Sequence, residues 1–142
     1  TPAAPSTTAA TTLTASGSSN LTVGTFTNAS SSTSVSTVNF SGMTGTTSLV
    51  YSGVDSVIYT GGSAKDTVTN GVVGAAETAT FNLGAGNDVM NVIAINGTGT
   101  LIADGGEGDD TFTVTPALTA GTKISIDGGA GTGDEIVVTA AV

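Results

Sequence analysis

Gly105-Gly106-Glu107-Gly108-Asp109-Asp110-Thr111-Phe112-Thr113-Val114 crowds glycine and carboxylate into its first six positions, then alternates polar with apolar residues. Glycine lets a backbone turn tightly, because no Cβ obstructs positive φ. In such a turn, peptide carbonyls and acidic oxygens can converge on one point. An all-oxygen set is what a hard cation takes as ligands. The alternation that follows predicts a half-buried strand.

The stretch recurs at a nearly fixed step. Gly62, Gly84 and Gly106 lie 22 residues apart, and Gly129 follows after 23. Ala64, Gly86, Gly108 and Gly131 keep these steps. Asp66, Asp88 and Asp110 are again 22 apart; Asp134 follows after 24, because the last turn carries one more residue. The copies are GGSAKDTVT, LGAGNDVMN, GGEGDDTFT and GGAGTGDEIVV. Two residues past each aspartate stands Val68, Met90, Phe112 or Ile136. A fixed period of this length predicts a solenoid.

The repeat resembles the GGxGxDxUx nonapeptide of the RTX family of secreted calcium-binding repeat proteins. GGEGDDTFT fits it throughout, and LGAGNDVMN lacks only the first glycine. GGSAKDTVT has Ala64 for a turn glycine and Lys65 beside the aspartate, which weighs against a cation there. The resemblance covers about Val57 to Val138 and implies a parallel β-roll whose turns bind calcium (Ca2+) through the aspartate and turn carbonyls. The family's roll uses about 18 residues per coil, with metal turns on both sides. One motif per 22 residues instead predicts metal turns on one edge only. The fold expected is therefore all-β: a right-handed parallel β-solenoid with 22-residue coils and calcium-binding turns along one edge.

Composition narrows the function. The 142 residues carry 11 acids, two lysines, no arginine and no histidine, for a net charge of −9. No basic footprint for nucleic acid exists, and an anionic membrane surface is an unfavourable partner. No apolar run is long enough to insert in a membrane. Without cysteine or histidine, zinc and most transition metals lose their usual ligands, which leaves calcium. Nine of the 11 acids sit in or beside the four turns, and only Asp55 and Glu77 lie elsewhere. Stacking places the aspartates ~4.8 Å apart. At that spacing, like charges repel by ~1 kcal/mol in water and ~3–4 kcal/mol at an effective dielectric of 20. A divalent cation between rungs would reverse the sign and couple binding to folding.

The ligand candidates are Asp88, Asp110 and Asp134, with carbonyls of Gly84, Gly86, Gly106 and Gly108. Asp104 and Asp127, just before two turns, are extra candidates, and Asp66 is a weaker one. Asn87 and Asp109 hold the variable position before the aspartate, where a solvated turn residue is the competing assignment. Catalysis is not expected: Trp, His and Arg are absent, and the carboxylates are claimed by the metal.

Residues 1–20 are Ser, Thr, Ala and Pro, the composition of a flexible linker or of a segment that adds a strand to a neighbour. Residues 21–56 alternate sparsely and predict one or two irregular rungs, or a cap. Residues 57–142 form the regular array, with inward rows Val57/Tyr59, Ala79/Phe81, Leu101/Ala103 and Ile124/Ile126. Val73, Ile93/Ile95 and Ala117/Leu118 are candidates for a third row, with Pro116 at a corner. The chain starts at Thr1 with no charged-then-apolar leader, as expected of a processed form or a piece of a longer protein. These features resemble bacterial surface-layer and secreted repeat proteins. The expectation is an extracellular or cell-surface structural protein that assembles with copies of itself. The alternative is a calcium-binding folding module or stalk of a larger secreted enzyme, toxin or adhesin.

Overall fold

The computed structural model describes residues 12–26, 36–52, 55–115 and 120–139. They form six rungs of two short strands each. The first is β1 (Thr12–Gly17) and β2 (Leu21–Phe26); the second, β3 (Ser36–Met43) and β4 (Thr47–Tyr51); the third, β5 (Val57–Thr60) and β6 (Asp66–Asn70). The fourth is β7 (Thr78–Asn82) and β8 (Val89–Val92); the fifth, β9 (Thr100–Asp104) and β10 (Thr111–Val114); the sixth, β11 (Lys123–Asp127) and β12 (Glu135–Val138). Odd-numbered strands stack into one six-stranded sheet and even-numbered strands into the other. All neighbours run parallel. The chain is a parallel β-solenoid with coils of about 22 residues and no helix among the described residues.

Register follows the sequence period. Val57, Ala79, Leu101 and Ile124 stack in one column, and Val38, Tyr59, Phe81, Ala103 and Ile126 in another. In the opposite sheet Leu49, Val68, Met90, Phe112 and Ile136 align. Alternation sends one residue in and the next out, so each strand feeds the single core between the sheets. Val38, Phe40, Leu49, Tyr59, Phe81, Met90, Leu101 and Phe112 are all buried there. Aromatic rings crowd the early rungs: Phe40 meets Tyr59 edge-on at 5.8 Å, Tyr59 lies 6.0 Å from Phe81, and Phe26 lies 6.1 Å from Tyr51. Later rungs fill the Tyr59 column with Ala103 and Ile126.

Three further features complete the stack. Thr12–Gly17, inside the segment expected to be flexible or donated to a neighbour, is β1 and pairs with β3 of its own chain. Its inward residues, Leu13 and Ala15, are small or isolated, so low hydrophobicity hid the alternation; a rung beneath supplies the missing pairing. Residues 1–11 lie outside the described residues. Second, the register shifts between Thr14 and Ser16 and between Val23 and Thr25. Third, Val73 and Ile95 form the expected third row, bridged to each other and buried, whereas Ile93 is exposed. Pro116, Ala117 and Leu118 lie outside the described residues.

Candidate functional site

The aspartate of each repeat opens an even-numbered strand (Asp66) or stands one residue before it (Asp88, Asp110 and Asp134). At this position the chain leaves the glycine turn and its side chain faces inward. Asp66, Asp88 and Asp110 are at most 1% exposed; Asp134, on the last rung, is exposed. The carboxylates do not simply face one another. The backbone N–H of Asp66 donates to Oδ1 of Asp88 at 2.6 Å, that of Asp88 to Oδ1 of Asp110 at 2.8 Å, and that of Asp110 to Oδ1 of Asp134 at 2.9 Å. Each carboxylate thus reaches back one rung to an amide. Charge-assisted bonds of this type are among the stronger ones in proteins, and they offset part of the repulsion expected of bare stacked charges.

The second oxygens separate the rungs. Asp66 is fully engaged: Thr47 Oγ1 donates to its Oδ1 at 2.7 Å, while Tyr59 OH and Gly62 N–H donate to its Oδ2 at 3.1 and 2.9 Å. Thr47 heads the column, being the register partner of Asp66 on the rung before. Oδ2 of Asp88 and Oδ2 of Asp110 are buried and accept no hydrogen bond among the described residues. The register partner of Tyr59 on the fourth rung is Phe81, and on the fifth Ala103; neither has a hydroxyl to give. Burial pushes the Asp88 carboxyl up to about 7; the amide of Asp66 opposes this, and the charges of Asp66 and Asp110 add to it. The Asp110 carboxyl is raised for the same first reason, with Asp134, Asp109 and Asp104 contributing.

Glycine is required for space beside two of these carboxylates, Asp66 and Asp110. A methyl group at Gly105 would collide with Oδ2 of Asp110 and with the carbonyl of Gly128 on the next rung. A methyl at Gly61 would meet Oδ2 of Asp66 and the Leu83 carbonyl in the same way. The cradle beside Gly105 therefore brings an unpartnered carboxylate oxygen and a peptide carbonyl to one point. Leu83 holds the matching register on the fourth rung, which is why that copy departs from the glycine pattern.

The glycine turns form a ladder of their own. Carbonyls of Gly62, Gly84 and Gly106 accept from the N–H of Ala85, Glu107 and Ala130, while Gly86 and Gly108 donate to the carbonyls of Glu107 and Ala130. Gly84 and Gly106 take φ of +100° and +95°, where a side chain is strained. Of the turn carbonyls expected to be held ready for a metal, those of Gly84 and Gly106 thus each spend a lone pair between rungs, leaving one apiece, whereas Gly86 and Gly108 join the ladder through their N–H groups.

Asn87 and Asp109 build a second, outer ladder. Asn87 Oδ1 accepts from Asp109 N–H at 3.2 Å, and Asp109 Oδ1 accepts from Thr132 and Gly133 N–H at 3.1 and 2.9 Å. It runs opposite to the inner ladder, with acceptors on the earlier rung. Asp104 and Asp127 are register partners but point outward, one position beyond buried Ala103 and half-buried Ile126. Asp127 Oδ1 folds back onto Gly129 N–H at 3.1 Å. The period aligned these two residues with the turns, yet strand alternation places them on the outer face, apart from the buried aspartates. Among the described residues no three acidic side chains converge on one point.

The residues present fit a hard cation at one place best: Asp110 Oδ2, the Gly128 carbonyl and the space beside Gly105. Asp88 also has an unpartnered buried oxygen, on a rung where Leu83 takes the register of Gly105. At Asp66 the protein's own donors fill the carboxylate. Sequence reasoning missed Thr47, because it lies 19 residues before Asp66 and off the 22-residue period. It also assigned Tyr59 to packing alone. A second polar cluster lies at the opposite edge. Asp55 is buried with an unpartnered Oδ2, Asn70 is buried with both amide atoms unpartnered, and Glu77 accepts from the N–H and hydroxyl of Ser56. No family model, curated protein or solved structure matches the chain.

Proposed function

We propose that the protein is an extracellular structural element: a β-solenoid stiffened by calcium at its glycine turns and joined end to end with copies of itself. One observation carries this reading: Asp88 and Asp110 each bury a carboxylate oxygen that nothing among the described residues satisfies. Burying an unpaired charge is costly, and a divalent cation removes that cost while adding charge neutralisation. Oδ2 of Asp110 and the Gly128 carbonyl would hold it on the fifth rung, and Oδ2 of Asp88 on the fourth, with the free lone pairs of turn carbonyls as further ligands. So few protein oxygens favour a weak site completed by water, suited to the millimolar calcium found outside cells.

Assembly is supported by the sixth rung. Ile136 and Val138 are 50% and 61% exposed, whereas their register partners Phe112 and Val114 are each 1% exposed. Inward-facing apolar rows left open beside unpaired strand edges invite another rung. A structural rather than catalytic role agrees with carboxylates tied up in ladders and with the lack of histidine and arginine.

Titration calorimetry of the metal-stripped protein with calcium tests the site. The proposal expects binding that weakens strongly in Asp110→Asn and is abolished in the Asp88→Asn/Asp110→Asn double variant. Heat unchanged by either substitution would refute it.

A further inference from the structure

We infer that Thr47 and Tyr59 stand in for a metal ion at Asp66, so that the first three rungs form a calcium-independent seed on which the later, calcium-requiring rungs fold. This rests on the calcium reading above and adds a division within the solenoid.

The division follows from what each carboxylate is given. Asp66 receives two hydroxyls and an amide at distances of 2.7–3.1 Å, in addition to lying in the backbone ladder. Tyr59 OH also lies 3.2 Å from Thr47 Oγ1, so the two hydroxyls and the carboxylate form one connected, buried network. A fully satisfied network of this kind rigidifies its surroundings; a half-satisfied one costs stability. One rung later the network stops. Phe81 repeats the ring of Tyr59 without its oxygen, and Oδ2 of Asp88 is left bare. On the fifth rung Ala103 removes the ring as well, and Oδ2 of Asp110 is bare again.

Two independent features run in the same direction, one changing between rungs two and three and the other between rungs four and five. No charged residue occurs before Asp55, so the first two rungs carry no like-charge repulsion at all. The ring contacts of Phe26, Phe40, Tyr51, Tyr59 and Phe81 are also concentrated in rungs one to four. The early rungs have the larger side chains and a self-satisfied carboxylate; the late rungs have the smaller core and the bare ones.

Hydrogen exchange of the full chain, read strand by strand with chelator and then with millimolar calcium, tests the division. In chelator, β3 to β6 should stay protected while β9 to β12 exchange; calcium should then slow β9 to β12 roughly tenfold or more and leave β3 to β6 nearly unchanged. An equal calcium response in all rungs, or a chain wholly unprotected in chelator, would overturn the seed while leaving the calcium reading intact. Full protection everywhere with no calcium response would overturn both. Two variants locate the cause. Tyr59→Phe should make β5 and β6 calcium-dependent. Phe81→Tyr, which returns a hydroxyl to the register of Asp88, should extend the chelator-resistant region to β7 and β8. If Phe81→Tyr folds in calcium yet leaves the boundary unmoved in chelator, the hydroxyls do not set it.

Discussion

At the scale of single residues, three aspartates that occupy equivalent positions differ in what they contact. Asp66 is satisfied by its own chain, whereas Asp88 and Asp110 each keep one bare buried oxygen. The difference sets a sign for pH dependence without metal. Asp88 is pushed up to about 7 from an ordinary value of 3.8, chiefly by burial. Between those limits the folded state holds the proton more tightly than the unfolded chain, so stability is greatest below the window and falls as pH rises through it. The direction at Asp110 is the same. In chelator, the urea midpoint should therefore fall across that window and level off above about 7; a midpoint that rises across it would contradict the assignment of bare carboxylates. The positions of these aspartates were legible in the sequence, because a 22-residue step is visible without any structure. Which oxygen each amide would claim was not. That depends on the stagger between rungs and on a hydroxyl from Tyr59, which enters from the other sheet.

At the scale of elements, the glycine turn and the strand after it act as one unit. The turn's carbonyls and amides pair between rungs, and its missing side chains make room for the carboxylate at or just before the strand's first position. Gly105→Ala should cost about 1–3 kcal/mol, because its Cβ would overlap both Asp110 Oδ2 and the Gly128 carbonyl. Gly24→Ala is the matched control: nothing lies near its added Cβ, and loss of unfolded-chain entropy should make it neutral or stabilising by up to about 1 kcal/mol. Chemical denaturation of the two variants checks this, and equal losses would show that space at the turn does not matter. The regular strands were readable from paired alternation after each turn. β1 was not, because Thr, Ser and Ala dominate it and its partner lies 25 residues on. The outward placement of Asp104 and Asp127 was hidden by the same period that revealed the turns: alignment along the stack says nothing about which face a strand residue takes.

At the scale of the whole molecule, the sixth rung is the last among the described residues. The solenoid's apolar rows run unbroken from the buried core to an exposed surface at Ile124, Ile136 and Val138. If that surface receives another copy, Ile136→Asp should leave the monomer's circular dichroism and melting nearly unchanged while abolishing calcium-dependent growth in sedimentation velocity. Assemblies of unaltered size in this variant would move the contact elsewhere.

The central claim is that buried carboxylates in the later rungs need a cation. Thermal unfolding of one metal-free preparation, in strong chelator and then in millimolar calcium, tests it most directly. A melting transition that calcium raises by several degrees, with magnesium at equal concentration much weaker, is the predicted result. Superimposable melting curves in chelator and calcium would contradict it.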